Sequence, residues 1–144
     1  MSDPHNLQRF LDAQARVYDD VRRELAAGQK CSHWMWFIFP QIAGLGLSPT
    51  STFYAIRSLD EARAYLDHSI LGARLPECVD LTLAVEGRTA RQIFGEIDAQ
   101  KLRSSLTLFA VARPDEPIFA WALQKYFAGE RDPATLERLS RQES

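Results

Sequence analysis

The chain has 144 residues, 46% hydrophobic and 25% charged, with a net charge of −2 and a pI of about 5.9. This suits one domain whose core buries roughly 70% of the unfolded surface. The charge balance argues against a nucleic-acid partner held by a broad basic face, and no apolar run reaches the roughly 18 residues that would span a membrane.

The N-terminus, from Met1 to Leu7, is polar and lacks the apolar core of a secretory signal. Two cysteines, Cys31 and Cys78, could form one bridge, but a domain of this size needs no staple. A cytoplasmic location with both thiols reduced is expected.

Asp3, Pro4 and Asn6 read as a helix start. Leu7, Phe10, Leu11, Val17, Tyr18, Val21 and Leu25 follow at helical spacing, and Gly28 is a stop. The apolar stripe thins over residues 13–17, where a break could lie. Residues 31–41 read Cys-Ser-His-Trp-Met-Trp-Phe-Ile-Phe-Pro-Gln, with an unbroken apolar run from Trp34 to Phe39. Periodicity does not separate a buried strand from a helical turn here, and Pro40 ends either one. Gly44, Gly46, Ser48 and Pro49 then read as a loop.

Ser58 and Glu61 fit a capping box ahead of Ala62, Tyr65 and Leu66. Ser69 is the expected cap of the next helix, which carries Leu71, Leu75, Val79, Leu83 and Val85. Pro76 should kink or divide that helix, and Gly87 should close it. Residues 89–94 suggest a short helix stopped by Gly95. Asp98 is the expected N-cap of a helix over 101–111. Pro114 and Pro117 bracket a turn. Ile118, Trp121, Ala122, Lys125 and Tyr126 mark another helix, ending at Gly129. Asp132-Pro133 starts a last one with Leu136 and Leu139, and the tail after Arg141 should fray. No period-2 strand, repeat or linker appears. The expectation is an all-α, irregular multihelical single domain over 1–144, about seven helices joined by short loops.

Several polar residues are candidates for a site. His33, at the edge of the aromatic run, has the chemistry of a general base. A histidine bonded to a backbone carbonyl at the end of a core segment is the simpler reading. Trp34 and Trp36 could wall a pocket for a flat ring, although six consecutive large apolar residues cannot all face one way. Asp98, Lys101, Arg103, Ser104 and Ser105 cluster at a helix start, where an anion would be favoured. The competing reading is a solvated lysine with serines at a close helix contact. Gly44-Leu45-Gly46 lacks the ending of a phosphate loop. His5, Cys31, His33, His68 and Cys78 do not have metal-ligand spacing, so neither a metal nor a cofactor is expected.

Longer stretches of the sequence carry a resemblance. Arg9-Phe10, Ala13-Gln14, Lys30, the block from Ser32 to Gln41 and Gly44-Leu45-Gly46 resemble family eighteen-ten of the bacterial domains of unknown function. Tyr54-Ala55-Ile56, Glu61-Ala62, Tyr65-Leu66, His68, Leu71-Gly72 and Arg74-Leu75 extend the match. Phe94-Gly95, Asp98, Lys101-Leu102 and the run Ser104 to Phe109 complete it over nearly the whole chain. The resemblance implies a mostly helical domain with no established activity. Pro76 departs from the family pattern. Some members carry the label calpastatin, but calpastatin repeats are disordered and poor in aromatics, whereas this chain is 10% aromatic.

The resemblance also implies which polar residues a shared site would use: Lys30, Ser32, His33, Gln41, His68, Arg74, Asp98, Lys101, Ser104 and Ser105. Two functions follow as expectations. The first is a small-molecule binding domain, or an enzyme, for an anionic nucleotide- or ADP-ribose-like ligand. His33 and Asp98 would be its acid–base pair, with Lys30, Ser32, Trp34, Trp36, Gln41, Lys101, Ser104 and Ser105 as ligand contacts. The second is an interaction or structural module whose polar residues satisfy one another in a packing network.

Overall fold

Each amphipathic stripe in the chain can leave water only by packing on another helix. The computed structural model describes residues 2–143. Its elements are α1 (Gln8–Gln14), α2 (Tyr18–Ala26), α3 (Met35–Ile38), α4 (Pro49–Tyr54) and α5 (Leu59–Asp67). They continue with α6 (Leu71–Ala84), α7 (Ala90–Phe94), α8 (Glu96–Ala112), α9 (Ile118–Phe127) and α10 (Pro133–Glu143). Seven of these helices reach seven residues or more. Among the described residues the only β pairing is an isolated parallel bridge between Ile42 and Ile56. The domain is all-α, as expected.

The longest helix, α8, is the axis of the fold. Ala99, Leu102, every residue from Ser104 to Ala110, and Ala112 are buried in it. Burial on that scale requires neighbours on several sides, and α5, α7, α9 and α10 supply them. Phe10, Trp34, Phe39, Tyr65, Phe109 and Phe119 form the aromatic part of the core, each at most 1% exposed. Several of their rings meet edge-to-face, as in Phe10–Tyr65 at 5.1 Å and Phe39–Phe94 at 6.0 Å.

The N-terminal stripe divides where it thins, between Gln14 and Tyr18. Upstream, the Asp3 carboxylate accepts the Leu7 and Gln8 N–H groups, which holds its carboxyl below the usual range. The run from Trp34 to Phe39 contains one helical turn, α3, and no strand. In α7, Thr89 and Gln92 form a reciprocal capping box.

Other local expectations are corrected. Ser48 and Pro49 do not continue a loop. They start α4, with the Ser48 hydroxyl accepting the Ser51 N–H at 3.1 Å and proline in the first turn. Ser69 does not cap α6. His68 does so instead, its Nδ1 accepting the Ile70 and Leu71 N–H groups. Pro76 does not divide α6, because the buried stripe of Leu71, Leu75, Cys78, Val79 and Thr82 holds one segment across the missing N–H. That helix ends at Ala84, before Gly87. Asp98 is not an N-cap. The helix begins earlier, at Glu96 behind Gly95, whose φ is +83°, and Asp98 sits inside its first turn. At the C-terminus α10 runs to Glu143, and the Gln142 amide donates to the Arg57 carbonyl at 2.7 Å. The Gln142 side chain thus bonds back to the domain, and Ser144 lies outside the described residues. Cys31 is exposed, Cys78 is buried, and both thiols are free. Among the described residues no helix is long and apolar enough to cross a membrane.

Candidate functional site

The polar residues of the 30–41 stretch divide between two environments. The first is a closed network around Glu24, which lies on the buried face of α2 between Val21 and Leu25. Its Oε1 accepts the Cys31 N–H at 2.6 Å, the Ser32 N–H at 2.9 Å and the Trp34 indole N–H at 3.0 Å. Its Oε2 accepts the Ser32 hydroxyl at 2.7 Å. Burial alone would raise this carboxyl, but the four donors outweigh it and hold its pKa at about 2. Trp34 is therefore a core residue, and it and Ser32 anchor the turn between α2 and α3.

The second environment is charged and faces a groove. Lys30 and Lys101 flank one carboxylate, with Asp98 Oδ2 at 2.9 Å from Lys30 Nζ and Asp98 Oδ1 at 3.6 Å from Lys101 Nζ. The Lys30 side chain is almost wholly buried, 4.9 Å from the Trp34 ring centre. Lys101 Nζ stands 4.4 Å from the Trp36 ring centre. The indole N–H of Trp36 is buried and has no acceptor among the described residues. The Gln41 side chain likewise makes no hydrogen bond among them; only its backbone carbonyl does, accepting the Ile56 N–H at 2.8 Å.

Lys101 and Gln41 line a groove of about 640 Å³ with Leu45, Gly46, Ser51, Ile97 and Gln100. A narrow neck of about 10 Å³ shares Gln41, Gly46 and Ser51 with this groove and is lined by Trp36 and Tyr54. Gly46 keeps the neck open: a Cβ there would come within 2.6 Å of the Ser51 side chain.

The remaining predicted residues fall elsewhere. His33 is exposed, and its side chain makes no hydrogen bond among the described residues. The simpler reading of a histidine bonded to a carbonyl at the edge of the core is thus corrected. Ser104 borders the groove, but its hydroxyl is 2.8 Å from Asp132 Oδ2, which also accepts the Thr135 N–H and hydroxyl. Ser105 is buried, and its hydroxyl has no hydrogen-bond partner among the described residues. The Arg103 guanidinium is engaged within the chain: it donates to the Glu130 and Arg131 carbonyls, each at 2.9 Å, and lies 3.7 Å from the Glu130 carboxylate. His68 caps α6. Arg74 lies over the Tyr18 ring at 4.6 Å and donates to Gln14 at 3.2 Å. Among the described residues no three His, Cys, Asp or Glu side chains are grouped to hold a metal ion.

Sequence reasoning missed Glu24, Asp132 and Gln100. Glu24 had a readable signal, an acid at i+3 from Val21 and i−1 from Leu25 on the apolar stripe of α2. Asp132 was legible only as the start of α10; its bond to Ser104, and the Gln100 amide that reaches it, arise where α10 returns to α8.

Comparison with known proteins gives a consistent result. Among curated proteins nothing matches. The crystal structure of the conserved hypothetical protein Rv1873 from Mycobacterium tuberculosis is similar at 51% identity and a TM-score of 0.95. The similarity covers 96% of this chain and 99% of that one. A family model described as "Protein of unknown function (DUF1810)" matches residues 4–139. The chain belongs to that family.

Proposed function

We propose that this protein is a small-molecule binding domain whose ligand is anionic and nucleotide-like, of the ADP-ribose kind, seated in the groove beside Lys101. The observation that carries this reading is the buried Trp36 indole N–H, left without an acceptor beneath the Lys101 ammonium. An unsatisfied buried donor costs about 1–3 kcal/mol, and an acceptor atom of a ligand in the neck would remove that cost. Gln41 adds a second unengaged polar group at the same junction. Lys30 and Lys101 share one carboxylate and so leave one positive charge beside the groove, whose lining also carries the carboxylates of Glu96, paired with Arg91, and Asp132, held by Ser104 and Thr135. The groove volume lies within the usual 300–1,000 Å³ for small ligands, and Leu45 and Ile97 offer apolar contacts for a ring. In this reading Asp98 positions the two ammonium groups. His33 is exposed and lines neither the groove nor the neck, so this reading gives it no proton transfer.

Thermal unfolding with AMP, ADP-ribose and ribose 5-phosphate tests the proposal. A ligand at about 100 times its Kd stabilises by about 2.7 kcal/mol, a rise of roughly 5–10 °C for a chain of this length. Trp36→Phe and Lys101→Gln should lose most of that rise, measured for each variant against its own ligand-free melting temperature. Absence of any shift at millimolar ligand refutes the reading.

A second reading, a non-enzymatic interaction or structural module, has its own support. The Glu24–Ser32–Trp34 and Asp132–Ser104–Thr135 networks engage predicted site residues in packing. It predicts that all three variants, His33→Ala included, leave ligand response flat.

A further inference from the structure

We infer a second ligand site, independent of the groove beside Lys101. It is the cleft of about 720 Å³ between the N-terminal segment, α4 and the start of α5, and its ligand is a small amphipathic carboxylate.

The floor of the cleft is built by Arg9. Its side chain is 6% exposed and pairs with Glu61 at 2.7 Å. All five N–H donors of a guanidinium are engaged here. They reach the carbonyls of His5, Asn6, Phe53 and Ala55, and the Glu61 carboxylate. One rigid planar group therefore ties together the N-terminal segment, the end of α4 and α5. The cleft is formed before a ligand arrives, which lowers the ordering cost of binding. The floor is also closed to a ligand, because Arg9 has no donor left and its charge is matched by Glu61.

The rim is different. Arg57 lines the cleft, is exposed, and has its backbone pinned on both sides. Its N–H donates to Glu61 at 3.2 Å, and its carbonyl accepts from Gln142 at 2.7 Å. Its guanidinium makes no hydrogen bond or ion pair among the described residues. The Thr52 hydroxyl and the Asn6 amide also line the cleft without a hydrogen bond among those residues. With Arg9 and Glu61 matched, Arg57 sets the sign: one net positive charge on an anchored stem. A guanidinium fork matches a carboxylate in a bidentate fashion.

Beside it, Leu47 and Phe53 are 95% and 54% exposed and form an apolar wall. A free cation next to an exposed apolar wall suits a ligand with one carboxylate and an apolar or aromatic body.

Benzoate is the probe, titrated by NMR into the full chain. Benzamide (the same ring without the charge) and acetate (the charge without the ring) are the comparisons. Benzoate should saturate at millimolar concentration and shift the Arg57 and Phe53 resonances. Benzamide and acetate should each bind at least roughly tenfold more weakly, as should benzoate to Arg57→Gln, since the charge-assisted pair is lost. Arg57→Lys should fall between. Trp36→Phe should bind benzoate like wild type, so failure of the groove reading would not affect this result. Arg57 is exposed, so equal melting temperatures for wild type and Arg57→Gln confirm that the fold is intact. No saturation, equal affinity in Arg57→Gln, or shifts confined to the Trp36 groove would each overturn the inference.

Discussion

Glu24→Gln isolates the charge that organises the turn before the aromatic block. The substitution keeps the shape of the side chain and one carbonyl oxygen but removes the negative charge that four donors address. The carboxyl falls from an ordinary 4.5 to about 2 in the folded protein. At about 1.36 kcal/mol per unit, the pair of values corresponds to about 3 kcal/mol of stability at neutral pH. Cys31 and Ser32 are exposed, so solvent screening brings the expected loss to about 1–3 kcal/mol. The sign follows from a depressed carboxylate. Its contribution is complete above pH 4.5 and disappears as pH falls through about 2. At pH 3 roughly half of it should remain. Urea unfolding of wild type and Glu24→Gln at pH 7 and pH 3 measures this directly. The gap between the two proteins should narrow at the lower pH. A gap under about 0.5 kcal/mol at pH 7, or one of equal size at both pH values, would refute the reasoning.

Three further predictions rest on separate features. Arg9→Met should cost about 3–5 kcal/mol in chemical denaturation, because it strands the buried Glu61 carboxylate. Adding Glu61→Leu should recover part of that loss. Gly72→Ala should cost more than about 2 kcal/mol and lower the melting temperature, since a Cβ would lie 2.0 Å from the Leu66 carbonyl oxygen, a backbone atom that cannot swing aside. Cys78 is buried, which pushes its thiol up to about 12, whereas Cys31 is exposed. A thiol reagent such as DTNB at pH 8 should label one cysteine in the native protein and both in denaturant, and rapid labelling of both in native conditions would contradict the burial.

Much of the helical framework was legible in local chemistry. The 3.6-residue apolar stripes, the Ser58 cap and the Asp132-Pro133 start are signals carried by a few adjacent residues. The expected capping box is half formed, since the Glu61 side chain turns to Arg9 and the Arg57 N–H instead of the Ser58 N–H. Where a cap came from the wrong side chain, the competing group was also local: His68 displaced Ser69, and α8 began ahead of Asp98. The short α4 escaped because six residues carry too little periodicity to register.

The candidate site was less legible, and for a physical reason. A motif residue shows its type in sequence but not its partners. Trp34 and Trp36 differ by two positions and have the same chemistry. One donates its N–H to Glu24 inside the core, and the other has no acceptor beneath Lys101. The first partner lies only ten residues back, on α2, but the second, Lys101, is brought over Trp36 by α8, more than half the described chain away from α2. The amino-acid sequence alone determined an all-α domain, its main helices and the aromatic block that marks it, because caps and periodicity act within one or two turns. Only the tertiary structure decided which polar residues close on each other and which face open space, because burial and partner choice arise when distant segments pack.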